Sequence, residues 1–249
     1  MPKIFFFILI SFAAQAQRKH LLAEYSFDKN VGKWSEMSMH SLSDVKVSNV
    51  TARSGKSLKV ILNKGKNNRT ELGTSPNDSP KEGWFGFSLF FPPSFENDST
   101  PESIVQWQSR PDAGENWRSA PLFLGVMNGY FILDQRTDST QISNENTVIF
   151  KRKTLGSVTK SKWIDFVVHA KWSYKNDGLI EVWKNNKLVF SKSGPNCYND
   201  KLNPYFKIGL YKWDFPASKM KTKVRTINID EVRIGSSEAT YKDVAPGKR

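Results

Sequence analysis

Residues 204–213 read PYFKIGLYKW, and the alternation within them decides the fold class. Side chains of a strand point in turn to opposite faces. Phe206, Ile208 and Leu210 therefore share one face, and Tyr205, Lys207, Gly209 and Tyr211 share the other. The first is a core face. The second is odd for a wetted surface, because it offers two phenols and an ammonium spaced by a glycine where Thr, Ser and Glu would be ordinary.

Outward from this stretch the same pattern recurs. Short runs rich in Val, Ile, Phe, Tyr and Trp include SLKVIL (57–62), WFGFSLFF (84–91), SIVQWQ (103–108), LFLGVM (122–127), YFILDQ (130–135), WIDFVVHAKW (163–172), LIEVWKNNKLVF (179–190) and RTINIDEVRIG (225–235). Gly, Asn, Asp, Pro and Ser clusters separate them, and helical periodicity is hard to find. Many short strands at fairly even spacing predict an all-β protein, an antiparallel β-sandwich of the jelly-roll, concanavalin-like type with a concave polar groove. Asn185-Asn186 predicts a tight hairpin, since Asn tolerates positive φ. No repeat or linker divides residues 17–249, which are expected to form a single domain.

Parity also separates the faces of three other segments. Arg69 and Glu71 share a face in NNRTEL, as do Gln106 and Gln108 in IVQWQS. In WIDFVVHAKW, Ile164, Phe166, Val168 and Ala170 form a core face, with Asp165, His169 and Lys171 on the reverse. If these polar faces lie in one sheet with that of PYFKIGLYKW, they line a groove of amides, cations, a histidine and phenols.

The chain opens MPKIFFFILISFAAQAQ: Lys3 supplies a positive start, Ile4 to Phe12 an apolar stretch, and Ala14-Gln15-Ala16 a small-residue cleavage pattern. Residues 1–16 are expected to be a signal peptide, and the protein secreted or periplasmic. No later apolar run has the length of a membrane helix. Cys197 is the single cysteine, so an intrachain disulfide is excluded. The formal net charge of +13 favours a polyanionic partner: an acidic polysaccharide, extracellular nucleic acid or an anionic membrane surface. No nucleic-acid motif accompanies the charge, so no nucleic acid is expected, and a monomer is.

The segments RTEL (69–72), QWQ (106–108) and YFKIGLYK (205–212) resemble the signature segments R-[ST]-E-[LV], Q-x-H and Y-F-K-x-G-x-Y of β-jelly-roll alginate lyases of polysaccharide lyase family seven. The Lys207 to Tyr211 spacing is similar to that of heparin lyase I. Segment order and surrounding text look most like the heparin lyase I-like and glucuronan lyase-like group, over about residues 55–235. One departure stands out: Gln108 occupies the position of the family's histidine.

The resemblance implies β-elimination on an acidic polysaccharide that is alginate-, glucuronan-, heparin- or ulvan-like. It implies Tyr211 as the catalytic acid, and also as base when both protons lie on one side of the sugar. Arg69 and Gln106 would neutralise the uronate carboxylate, and Lys207 would favour the phenolate of Tyr211. On parity, His169 is the candidate replacement base. Candidate substrate contacts are Glu71 (orienting Arg69), Gln108 (a second amide donor), Lys171, Lys212, and the stacking rings of Tyr205 and Trp213. The chemistry requires no cofactor. Asp28 in SFDKN and Asp230 in NIDEV are weak candidates for the family's structural calcium. A glycoside hydrolase needs a close carboxylate pair, and none is apparent. A non-catalytic acidic-glycan-binding module of the same fold is the alternative reading.

Overall fold

A computed structural model describes residues 20–65 and 67–247, so the expected signal peptide lies outside the described residues. Fifteen strands follow in chain order: β1 (Leu21–Tyr25), β2 (Glu36–Ser38), β3 (Val45–Ser48), β4 (Ser57–Asn63), β5 (Arg69–Gly73), β6 (Glu82–Phe90), β7 (Glu102–Gln108), β8 (Leu122–Met127), β9 (Tyr130–Thr137), β10 (Ile149–Ser157), β11 (Trp163–Lys171), β12 (Leu179–Lys184), β13 (Lys187–Ser193), β14 (Tyr205–Tyr211) and β15 (Val224–Gly235). They form two antiparallel sheets. Sheet A runs β13-β12-β11-β6-β15-β4-β3, with β1 also paired to β15, and sheet B runs β10-β9-β8-β7-β14-β5-β2. This is the expected jelly-roll sandwich.

Period-two sequences fill the space between the sheets. Phe206, Ile208 and Leu210 of β14 meet Leu58, Phe85, Phe87, Phe166 and Ile229 from the opposite sheet in one buried cluster. The Phe206 ring stacks on Phe85 at 5.5 Å and meets Trp107 edge-on at 5.8 Å. Burying side chains of this size contributes about 1.5–3 kcal/mol each. The alternate residues of β14, β7 and β5 are thereby committed to the outer face of sheet B. The Asn185-Asn186 turn has φ of 48° and 67° at its two central residues, the positive pair a type I′ hairpin requires.

Gly209 answers to a close approach of the neighbouring strand. Its φ is +151°, and a Cβ there would lie 2.1 Å from the carbonyl oxygen of Thr70 and 2.8 Å from Cα of Glu71. The register between β14 and β7 also shifts between Ile208 and Tyr211. Glycine is needed because β5 approaches the irregular strand too closely for any side chain. Gly209→Ala is expected to cost about 2 kcal/mol or more, lowering Tm by roughly 4–8 °C in a calorimetric scan. An unchanged Tm would contradict the close-approach account.

Candidate active site

The strand order β7-β14-β5-β2 brings the three polar segments side by side. Tyr211 stands opposite Arg69 on one flank and Ser103 on the other, and Gly209 stands opposite Glu71. Lys207 stands opposite Gly73 and Gln106, and Tyr205 opposite Gln108. The expected polar faces of RTEL, QWQ and YFKIGLYK therefore coincide on the outer face of sheet B.

Glu71 organises this face. It is 1% exposed, and its Oε1 accepts a hydrogen bond from Gln106 Nε2 at 2.6 Å. Its Oε2 has no hydrogen bond but faces Arg69 Nη1 at 3.7 Å and Lys207 Nζ at 3.6 Å. A carboxylate this far from water is tolerable only because two cations and an amide surround it. Lys207, 4% exposed, is also 3.4 Å from Glu36 Oε2 on the edge strand β2. On the outer side of the cluster the Arg69 guanidinium lies 3.9 Å from the centre of the Tyr211 ring. Trp213, 40% exposed, meets Tyr211 edge-on at 5.7 Å and Phe123 at 6.4 Å. The arrangement is a phenol under a half-exposed guanidinium, with that guanidinium held from below by a buried carboxylate.

Other expected contacts are committed elsewhere. Tyr205 is 2% exposed and donates its hydroxyl to Glu36 Oε2 at 3.2 Å, so its ring has no free face for a sugar. Burial, together with the Glu36 carboxylate, pushes its pKa well above the ordinary phenol value. Gln108 donates its amide to the carbonyl of Arg118 at 3.0 Å, tethering the loop between β7 and β8 instead of offering a second donor. Arg118 is in turn fixed by Glu115 and Asp200 and lies over the Tyr198 ring at 4.3 Å. Lys212 is fully buried, its ammonium 2.9 Å from Asp98 Oδ2 and 3.0 Å from Asp214 Oδ1. It is a structural ion-pair residue rather than a substrate contact.

His169 and Lys171 belong to the other sheet. They lie on β11 between β6 and β12, with core residues Phe166 and Val168 facing inward. The faces of packed sheets are about 10 Å apart, and these two residues point away from sheet B altogether. The His169 ring stacks on Trp84 at 4.0 Å, and its nitrogens contact Glu82 Oε1 and Glu181 Oε2, both at 3.0 Å. Parity named the right face of the strand but carried no information on which sheet received it. His169→Gln is expected to leave turnover unchanged while lowering Tm through the lost clamp. A collapse of turnover with Tm retained would reinstate His169 as a base.

Asp28 and Asp230 do meet, around one turn, but not as calcium ligands. Asp230 accepts the backbone N–H groups of Arg53 at 2.9 Å, Ser54 at 3.0 Å and Glu231 at 2.7 Å, while Asp28 Oδ1 accepts that of Lys56 at 3.0 Å. Burial pushes the Asp230 carboxyl up to about 6. N–H groups point at the oxygens a calcium ion would need, so the pair does not fit the metal. Among the described residues no group of three or more His, Cys, Asp or Glu side chains is placed to hold one.

Two residues escaped the sequence reading. Glu36 sits in a three-residue edge strand too short to show periodicity. His40 lies two residues beyond the same strand, whose last residue, Ser38, pairs with Glu71. Met39 between them packs against the core, and His40 is exposed. The available signal was the E-x-S-x-H alternation in EMSMH (36–40).

A jelly-roll sandwich with cations, amides and a phenol gathered on one sheet is the class that fold and site define. Within that class the chain belongs to the polysaccharide lyase family, whose model matches residues 29–233. A search of curated proteins found no match. Among solved structures, the endo-β-1,4-glucuronan lyase of the fungus Trichoderma reesei superposes with a TM-score of 0.78 at 18% identity, over 92% of this chain and 100% of that one. Alginate lyase AlyC3 in complex with dimannuronate gives 0.52 at 13% identity, over 74% of this chain and 76% of that one. A structure described as the HCR/D W1238A mutant gives 0.58 at 12% identity, over 91% of this chain but half of its own length. At these identities the likeness is one of fold.

Proposed function

We propose that this polysaccharide lyase cleaves a uronic-acid polymer by β-elimination on the outer face of sheet B. The observation that carries the reading is the Arg69 guanidinium stacked on Tyr211 and backed by buried Glu71. Elimination removes the proton from C5 of the uronate, forms the C4–C5 double bond and expels the glycosidic oxygen at C4, which takes up a proton. The C5 proton is weakly acidic until the carboxylate beside it is neutralised. Arg69 has planar donors suited to that carboxylate and is half exposed toward it, with Glu71 fixing its direction. Gln106 is spent on Glu71, so its part is to hold Glu71, and through it Arg69.

Tyr211 is the acid that protonates the departing oxygen. We assign the C5 proton to His40, an exposed histidine two residues beyond β2, whose last residue pairs with Glu71. His40→Ala is expected to lower kcat by about 10²-fold or more with Tm retained. Retention of full kcat would give both proton transfers to Tyr211.

The full-length likeness to a glucuronan lyase makes a glucuronan-type polymer the first substrate to test, with alginate second. Incubation should produce unsaturated ends seen as near-ultraviolet absorbance, whereas binding without absorbance on every polymer would favour a glycan-binding module. We also take residues 1–16 as a signal peptide, so the exported protein should begin at Gln17 on N-terminal sequencing.

A further inference from the structure

The outer face of sheet B continues past Gln106. Gln106 stands opposite Phe123 on β8, Phe123 opposite Asp134 on β9, and Asp134 opposite Arg152 on the edge strand β10. The next row along carries Arg136, opposite Phe150. Asp134 is fully buried and takes Arg152 in a bidentate pair, through Nε at 2.6 Å and Nη2 at 2.7 Å.

Arg136 is left with little. Its Nη2 is 3.8 Å from Asp134 Oδ2, and Nη1 makes one long hydrogen bond, 3.5 Å, to the carbonyl of Ala120. Its guanidinium is flanked by the rings of Phe150 at 4.7 Å and Phe123 at 5.7 Å. A guanidinium carries five N–H donors, and a mostly buried one with a single long hydrogen bond is short of acceptors. Two guanidiniums also share one carboxylate, so this patch keeps a net positive charge. Phe150, 48% exposed, adds an apolar ring beside it.

We propose that Arg136, with Phe150 at its side, is a distal subsite that takes the carboxylate of a second acidic sugar on the bound chain. The strand of Arg136 lies three strand spacings from that of Tyr211, about 14 Å across the sheet, a distance that a short oligosaccharide covers. Arg152 is a positioning residue: by taking the hydrogen bonds of both Asp134 oxygens it leaves Arg136 only a 3.8 Å ion contact there, and N–H donors for an external carboxylate. The inference rests on the lyase reading of the Tyr211 site.

The test is kcat/KM for a series of uronate oligosaccharides of increasing length, with wild type, Arg136→Gln and Phe150→Ala. Wild-type kcat/KM should climb once the chain is long enough to reach β9. Arg136→Gln should lose that climb, falling about tenfold or more on long chains through KM. Phe150→Ala, which removes an exposed ring and does not threaten the core, should lose part of it. An unaltered length dependence in both variants, or an equal loss at every length, would overturn the subsite. If wild type forms no unsaturated ends on any uronate, the lyase reading fails. Titration calorimetry of a long oligouronate against wild type and Arg136→Gln then still tests the subsite, and equal affinities would dismiss it.

Discussion

Tyr211→Phe is expected to lower turnover on a uronate polymer by about 10²–10⁴-fold, the range associated with loss of a positioned general acid. The substitution removes one hydroxyl from a ring that keeps its neighbours: Arg69 above it and Trp213 at its edge. Tm should therefore hold, and so should affinity for the polymer. Without the phenolic proton the C4 oxygen leaves as an alkoxide, and that cost appears in kcat. A variant with full activity would remove Tyr211 from the chemistry. A variant that unfolds would show that the hydroxyl has a structural partner instead.

Glu71→Ala should have the largest effect on stability. The carboxylate is buried among Arg69, Lys207 and Gln106, and Lys207 would be left with Glu36 alone. Removing one partner of a buried ion pair costs about 3–5 kcal/mol, because the remaining charge stays desolvated. For a chain of this size that is a fall in Tm of roughly 6–20 °C. Activity should fall as well, since only a long hydrogen bond to Asn68, 3.5 Å, and the Tyr211 ring then aim the Arg69 guanidinium. Glu71→Gln separates the two effects: it keeps an acceptor for Gln106 and restores part of the stability, but it loses the charge that holds Arg69. If Glu71→Ala melted with the wild type, the carboxylate would not be the keystone of this face.

The sandwich was legible in the sequence wherever a strand sets apolar residues on one side against polar ones on the other. β6, β7, β11, β14 and β15 carry clean alternation, and their core residues meet as parity requires. β10 was missed because it is a charged edge strand, IFKRKTLGS, with eight of nine residues exposed and only Leu155 buried. β2 was missed because three residues show no period. The central part of the site was legible for the same reason as the fold: Arg69, Glu71, Gln106, Lys207 and Tyr211 each occupy the polar side of a strand whose other side is core. Parity says nothing about which sheet a strand joins or what covers its polar side. Hence His169 went to the wrong sheet, and Tyr205, Gln108 and Lys212 read as free although Glu36, the Arg118 carbonyl and Asp98 already hold them.

The most direct test of a Tyr211-centred lyase is mass spectrometry of the ends released from a β-1,4-glucuronan by wild type and by Tyr211→Phe. The wild type should release new non-reducing ends lacking one water, the signature of a C4–C5 double bond, and the Tyr211→Phe digest should lack them. Hydrated ends from the wild type, or unsaturated ends at an equal rate from both proteins, would contradict a lyase centred on Tyr211.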